Sequence, residues 1–202
     1  HPVFSPHFLS PASAGDTTEV IGAVGGAVTF RGHNTATEGN QALWSFGNEP
    51  IVTVEFGDPL QPVFSKDKFK TRFAVSEEGR ALTISQLRME DAGTYSVTIN
   101  GEISTFTLLV YRELAEPSVT CEAQNCSGRN CLLALCCSVP STGFGNVSYT
   151  WRVRDWLWKR QSMLLLVRKS SLDDLEPVTC TARNAVSSRN VTVTTPGVLC
   201  PG

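Results

Sequence analysis

Short runs of alternating apolar and polar residues follow one another along most of this chain. Val24 and Ala27-Val28-Thr29-Phe30 flank Gly25-Gly26, which predicts a strand, a turn and a second strand between Glu19 and Arg31. Ala42-Leu43-Trp44-Ser45-Phe46 alternates as the next strand. Gly47-Asn48-Glu49-Pro50 then supplies a turn into another, from Ile51 to Phe56. Arg72-Phe73-Ala74-Val75 and Ala81-Leu82-Thr83-Ile84 read as two more. Asn100-Gly101, the strongest short hairpin signal, leads into a strand from Ile103 to Tyr111. Beyond residue 120, Val147-Ser148-Tyr149-Thr150-Trp151 alternates in the same way. Period-two patterning punctuated by turn residues predicts an all-β chain.

One stretch fixes which all-β architecture this is. Asp91-Ala92-Gly93-Thr94-Tyr95-Ser96-Val97 follows the Asp-x-Gly-x-Tyr-x-Cys pattern that leads into strand F of an immunoglobulin variable-type sandwich. Gly93 allows a tight turn without a Cβ clash. Tyr95 occupies the tyrosine-corner position, where its hydroxyl ties back to nearby backbone. Asp91 has an expected partner in Arg72, and Trp44, twelve residues past Gly32, stands where the core tryptophan of strand C belongs. The cysteine position of strand F holds Val97, and its strand B counterpart holds Gly32. The first sandwich is therefore expected to hold together by burial alone, with Val97, Trp44, Phe30, Leu82 and Ile84 in its core.

Length and cysteine distribution add a second sandwich. Two hundred and two residues suit two domains of about 100 residues each. Cys137, Trp151 and Cys180 repeat the cysteine-tryptophan-cysteine spacing of an immunoglobulin core, although the tyrosine-corner position holds Val178. The expected organisation is a tail at 1–16, a variable-type domain at 17–113 without a core disulfide, and a constant-type domain at 114–202 with disulfides. The junction, Arg112 to Pro117, has no Gly/Ser run and reads as stiff. All seven cysteines lie between Cys121 and Cys200, which indicates an oxidising compartment. Three glycosylation sequons, at Asn125, Asn146 and Asn190, agree with secretion. His1-Pro2-Val3 does not begin a signal peptide, and no apolar run approaches the roughly 18 residues that span a bilayer. The chain reads as a mature ectodomain without its targeting and anchoring segments.

Charge and motifs exclude several functions. A formal net charge of −2 gives no electrostatic reason to bind nucleic acid. Gly25-Gly26 lacks the Gly-Lys-Ser/Thr ending of a phosphate loop. The histidines are His1, His7 and His33, two of them in the tail, where a base cannot be held against a nucleophile. No zinc-type spacing occurs, so no catalytic, metal or cofactor site and no small-molecule substrate is expected. The run Arg152 to Arg160, with Trp156 and Trp158, is weighed as a second contact site and read instead as a loop after strand C whose tryptophans pack on the domain. On the front sheet of the first domain, Ser45, Thr53, Glu55, Ser96, Thr98, Asn100 and Glu102 are expected to alternate outward as a polar, partly charged face.

Several of these features combine into a family pattern. The first domain lacks a disulfide and ends in Leu108-Leu109-Val110-Tyr111-Arg112-Glu113-Leu114. The second has Cys131 six residues before Cys137, and Cys200 near its end. It also carries Asn146-Val147-Ser148-Tyr149-Thr150-Trp151 and Cys180-Thr181-Ala182-Arg183-Asn184-Ala185-Val186-Ser187. From Glu19 to Cys200 the chain resembles the SLAM family of leukocyte receptors. The resemblance implies a cell-surface adhesion or co-signalling protein of the immune system. Its partner would be a SLAM-family receptor on another cell, alike or related, bound through the first domain's front sheet; the alternative is a soluble or virus-encoded decoy. The family pattern pairs Cys137 with Cys180 and Cys131 with Cys200. If strands A and B of the second domain form a hairpin about Gly128, residues whose numbers sum to 257 face each other. That register sets Cys121 opposite Cys136 and leaves Cys126 unpaired, though it also sets Cys126 opposite Cys131.

Overall fold

A computed structural model describes residues 17–33, 41–57, 59–139, 143–153, 156–158, 163–170 and 175–200. The expected tail at 1–16, with His1 and His7, lies outside the described residues. The chain divides into two compact units, His1–Val110 and Tyr111–Gly202.

The first unit is a sandwich of two sheets. Its elements are β1 (Thr17–Ala23), β2 (Val28–Arg31), β3 (Gln41–Phe46), β4 (Glu49–Glu55), β5 (Gln61–Phe64), the single-turn helix α1 (Asp67–Lys70), β6 (Phe73–Ser76), β7 (Ala81–Ile84), β8 (Gly93–Ile99) and β9 (Glu102–Tyr111). The larger sheet runs β1-β9-β8-β3-β4-β5 and the smaller β2-β7-β6, the variable-type arrangement. The alternating runs become these strands because each buries one face: Phe30, Trp44, Leu82, Ile84 and Val97 are all essentially inaccessible. β5 and α1 have no counterpart in the sequence pattern. Pro59 and Pro62 disguise the strand, yet β5 is an edge strand, where a missing N–H is tolerated.

Without a disulfide, the centre of this sandwich closes on small and apolar groups. A Cβ on Gly32 would lie 3.2 Å from Val97 Cγ1, so the valine methyl occupies the space a cystine would fill. The Phe30 ring packs 4.9 Å from Tyr95 and 5.1 Å from Phe106, centroid to centroid. The Trp44 indole N–H donates to the Gly79 carbonyl at 2.9 Å, so the buried tryptophan leaves no polar atom unpaired. Beneath the core, Arg72 grips Asp91 through two bonds, Nη1 to Oδ2 at 2.6 Å and Nη2 to Oδ1 at 2.9 Å. The Arg88 N–H adds a third at 2.8 Å, and the Tyr95 hydroxyl donates to the Asp91 carbonyl at 2.6 Å. Gly93 has φ +147°, and a Cβ there would meet Phe46 Cε2 at 2.6 Å, in the ring that stacks on Tyr95.

The second unit contains β10 (Ser118–Ser127), β11 (Asn130–Ser138), β12 (Ser148–Val153), β13 (Trp156–Trp158), β14 (Leu164–Ser170), β15 (Val178–Arg183) and β16 (Ser188–Val193). Its sheets run β10-β11-β14 and β13-β12-β15-β16, the shorter constant-type sandwich. Leu133, Leu135, Trp151 and Ala182 are fully buried around the Cys137–Cys180 disulfide. Val178, in place of a corner tyrosine, is 1% exposed and serves as core. Asn184 replaces the missing lock by a different route. Its amide donates to the Arg112 and Phe144 carbonyls, and its oxygen accepts from the Val186 and Ser187 N–H groups and the Ser187 hydroxyl.

The cysteine pairing corrects the expectation in two places. The bonds are Cys137–Cys180, as expected, with Cys121–Cys200 and Cys126–Cys131. Cys131 does not reach Cys200, and Cys121 does not reach Cys136; Cys136 is the free thiol. The reason is one β-bulge. From Cys126↔Cys131 to Ala123↔Ala134 the register follows the hairpin about Gly128. It then shifts between Cys121 and Ala123, so that Cys121 faces Leu135 and Thr120 faces Cys136. The extra residue, Glu122, turns Cys121 to the inward face, where Cys200 lies, and leaves Cys136 on the outward face. Cys131 is consumed by its own cross-strand neighbour.

The tryptophan run is also corrected in part. Trp156–Trp158 is a strand rather than a loop, paired Trp151↔Trp158, Arg152↔Leu157 and Val153↔Trp156. Residues 154–155 and 159–160, and the packing of Trp156 and Trp158, lie outside the described residues.

Candidate protein-docking face

The larger sheet of the first unit turns one face to the core and one to solvent, and the division is set strand by strand. Trp44, Val97 and Phe106 point inward, so their neighbours Leu43, Ser45, Ser96, Thr98, Ile103 and Thr105 point outward. A bulge between Trp44 and Ser45 sets Trp44 opposite Val52 and Ser45 opposite Pro50, and both Ile51 and Val52 are buried. The Asn100-Gly101 turn has φ of +54° and +79°, the pair of positive angles a type I′ hairpin needs, and brings β9 back beside β8.

Cross-strand register assembles these residues into rows. Ile103 faces Thr98, Thr98 faces Leu43, Leu43 faces Thr53, and Thr53 faces Val63. That row crosses five strands. Its two ends are apolar and open, Ile103 at 60% and Val63 at 65% exposure, with Leu43 half-buried between them. A parallel row joins Thr105, Ser96 and Ser45, and another joins Gln41, Glu55 and Gln61.

Five of the residues singled out from sequence, Ser45, Thr53, Glu55, Ser96 and Thr98, thus share one face. Asn100 is in the hairpin turn beside it. Glu102 is corrected: it pairs with Ile99, which points to the core, so Glu102 follows the inward parity of Phe106 and Leu108 and stands exposed only because it lies at the end of the strand. The two turn residues, Asn100 and Gly101, put Glu102 on the same side as Ile99, which inverts the parity that simple alternation along the chain predicts. Sequence reasoning also missed Leu43, Ile103 and Val63. Leu43 and Ile103 carried a signal in their parity with Ser45 and Thr105. Val63 carried none, since its strand was not recognised.

Electrostatics separate the scaffold from the face. Burial would push the Asp91 carboxyl up, but the Arg72 and Arg88 bonds outweigh it and hold that carboxyl below the ordinary carboxylate range. The hydrogen bond to Asp91 pushes Arg72 up in turn. Burial, followed by the Asp91 charge, pushes the Tyr95 phenol far up. Across the cleft that Arg72, Asp91 and Tyr95 line, Lys66 and Lys68 converge on Glu49 at 2.9 and 3.7 Å, and the Lys66 bond leads the lowering of its pKa. These shifted groups are structural pairs away from the outward rows. Among the described residues no group of three or more His, Cys, Asp or Glu could hold a metal ion. No described helix is long and apolar enough to cross a membrane.

No family model matches the chain. It is 33% identical to human T-lymphocyte surface antigen Ly-9 across 87% of its own length and 29% of that protein's. Against human SLAM family member 7 it is 26% identical, across 87% of this chain and 54% of that one. The chain therefore spans about a third to a half of the length of these curated relatives. Among solved structures, the CD2-binding domain of CD58 superposes with a TM-score of 0.62 at 19% identity, covering 92% of this chain and 99% of that one. Murine CEACAM1b gives 0.63 at 16% identity, covering 90% and 96%.

Proposed function

The chain is a SLAM-family homologue over most of its length, and from that premise we propose that it is the ectodomain of an immune-cell adhesion or co-signalling protein. In this reading residues 17–113 dock, through the front sheet, on a SLAM-family receptor of another cell. The observation that carries the reading is the row from Ile103 to Val63. It offers one open apolar side chain at each end of a hydroxyl-rich sheet face, with Glu55 beside it. Threonines and serines between apolar anchors suit a transient contact, in which charge sets specificity and on-rate more than affinity.

Sequon placement supports the same assignment. Asn125 faces outward on one sheet of the second unit and Asn190 outward on the other, paired with Thr181. Asn146 is exposed beside β12. Glycans there would obstruct both broad faces of the second domain, while the first domain has no sequon.

The test is a binding screen of the tagged ectodomain on cells that each express one SLAM-family receptor, this protein included. We expect one receptor to bind, and Ile103→Lys to weaken that binding without lowering the melting temperature. Binding that survives Ile103→Lys and Glu55→Lys but is lost on changing Trp156 or Trp158 would move the site to the second domain.

A further inference from the structure

The outer face of the β10-β11-β14 sheet has an unusual composition. Leu132, Leu164 and Leu166 are 40%, 41% and 61% exposed, and Ala134 and the free Cys136 sit between them. Contiguous apolar side chains on an outward sheet face, here with exposed Arg168 across from Leu132, are one hazard for a secreted domain. A free thiol in an oxidising compartment is a second hazard. One group on the same face addresses both. Asn125 is exposed, points outward, and lies directly opposite Leu132 in the register. It also heads the sequon Asn125-Cys126-Ser127.

We propose that an N-linked glycan on Asn125 lies over this face, covering Leu132, Leu166 and Leu164 and shielding the Cys136 thiol. The proposal rests on the ectodomain reading above. Strand spacing and rise put Cys136 about 14 Å from Asn125, one strand across and four residues along. A branched glycan core reaches that far over a flat sheet. Its sugars present C–H surfaces to the leucines and hydroxyls to water, so the patch is covered without a protein partner. The Cys126–Cys131 disulfide fixes the hairpin on which the sequon sits, so the glycan leaves the sheet from a rigid point. Burial, and then the Glu122 carboxylate, push the Cys136 thiol up, which keeps it protonated and slow to react beneath this cover.

The experiment uses the secreted two-domain chain from mammalian cells with Asn146→Gln and Asn190→Gln, so that only the Asn125 glycan remains. Glycopeptide mass spectrometry reads occupancy. Maleimide labelling of Cys136, and fluorescence of a dye that binds apolar surface, are then compared before and after removal of the glycan by peptide-N-glycosidase F from the folded protein. We expect labelling to accelerate several-fold and dye binding to rise. Cys136→Ser should abolish the labelling alone. A chain with Asn125 bare, or equal labelling rates before and after removal, overturns the shielding. If the unsubstituted secreted chain carries no glycan at any of the three sequons, the ectodomain reading fails as well, which separates the two outcomes. Treating the folded protein avoids relying on an Asn125→Gln variant that could fail in secretion.

Discussion

At the scale of single residues, the first domain depends on a few buried side chains with complete partners. Trp44 is fully buried, stacks 6.0 Å from Phe106 and caps the Gly79 carbonyl. Trp44→Ala should cost about 3–5 kcal/mol, because it opens a large cavity and strands a buried acceptor. Denaturant unfolding measures this, and a parent-like midpoint would show that the indole is not core. Asp91 and Arg72 have side chains only 9% and 13% exposed, so removing one partner leaves a buried charge. Arg72→Met is expected to cost about 3–5 kcal/mol. The pair also makes the domain acid-sensitive. Asp91 has its folded pKa below the ordinary 3.8, so its contribution is complete above that value and is lost as pH falls below it. Melting followed from pH 6 down to pH 2 should show the wild type losing stability below about pH 4. Asp91→Asn should start lower and fall less steeply over that window.

At the scale of elements, the hairpin β10–β11 decides the cysteine chemistry. Peptide mapping under non-reducing conditions should recover Cys121–Cys200, Cys126–Cys131 and Cys137–Cys180, with Cys136 alkylated. A Cys121–Cys136 peptide would mean that the bulge at Glu122 is absent. The three bonds differ in what they contribute. Cys137–Cys180 closes 43 residues across the core, and its removal should cost about 4 kcal/mol, whereas Cys126–Cys131 spans only 5 and should contribute least. The other hairpin, β8–β9, sets which way β9 faces. Gly101 takes φ +79° there, so Gly101→Val should strain the turn and disturb the row that begins at Ile103.

At the scale of the whole molecule, the two sandwiches solve the same problem by different means. One is closed by Val97 against Gly32, the other by a cystine and two further disulfides. Reductant should therefore lower the melting temperature of the second domain and leave the first unchanged. Calorimetry of the whole chain with and without dithiothreitol tests this, using Trp44→Ala to identify the first domain's transition. A first-domain transition that moves with reductant would show that its stability is not its own.

The sequence alone determined the two all-β sandwiches, the cores built on Trp44 and Trp151, the Asp91–Arg72 pair and the corner at Tyr95. Those features are written in local spacing and alternation, because a strand with one buried face must repeat every two residues. It also marked five of the outward residues, since parity within one strand is local. The tertiary structure decided what depends on more than one strand. A single extra residue at Glu122 changed which cysteines meet, and no periodicity within β10 announces a bulge that exists only against β11. The facing of Glu102 followed from its pairing with Ile99 across a two-residue turn, and Val63 joined the outward row only through a proline-containing edge strand beside β4. Register is a relation between segments distant in sequence, so the row from Ile103 to Val63 and the face shared by Asn125, Leu132 and Cys136 came into existence only when the sheets paired.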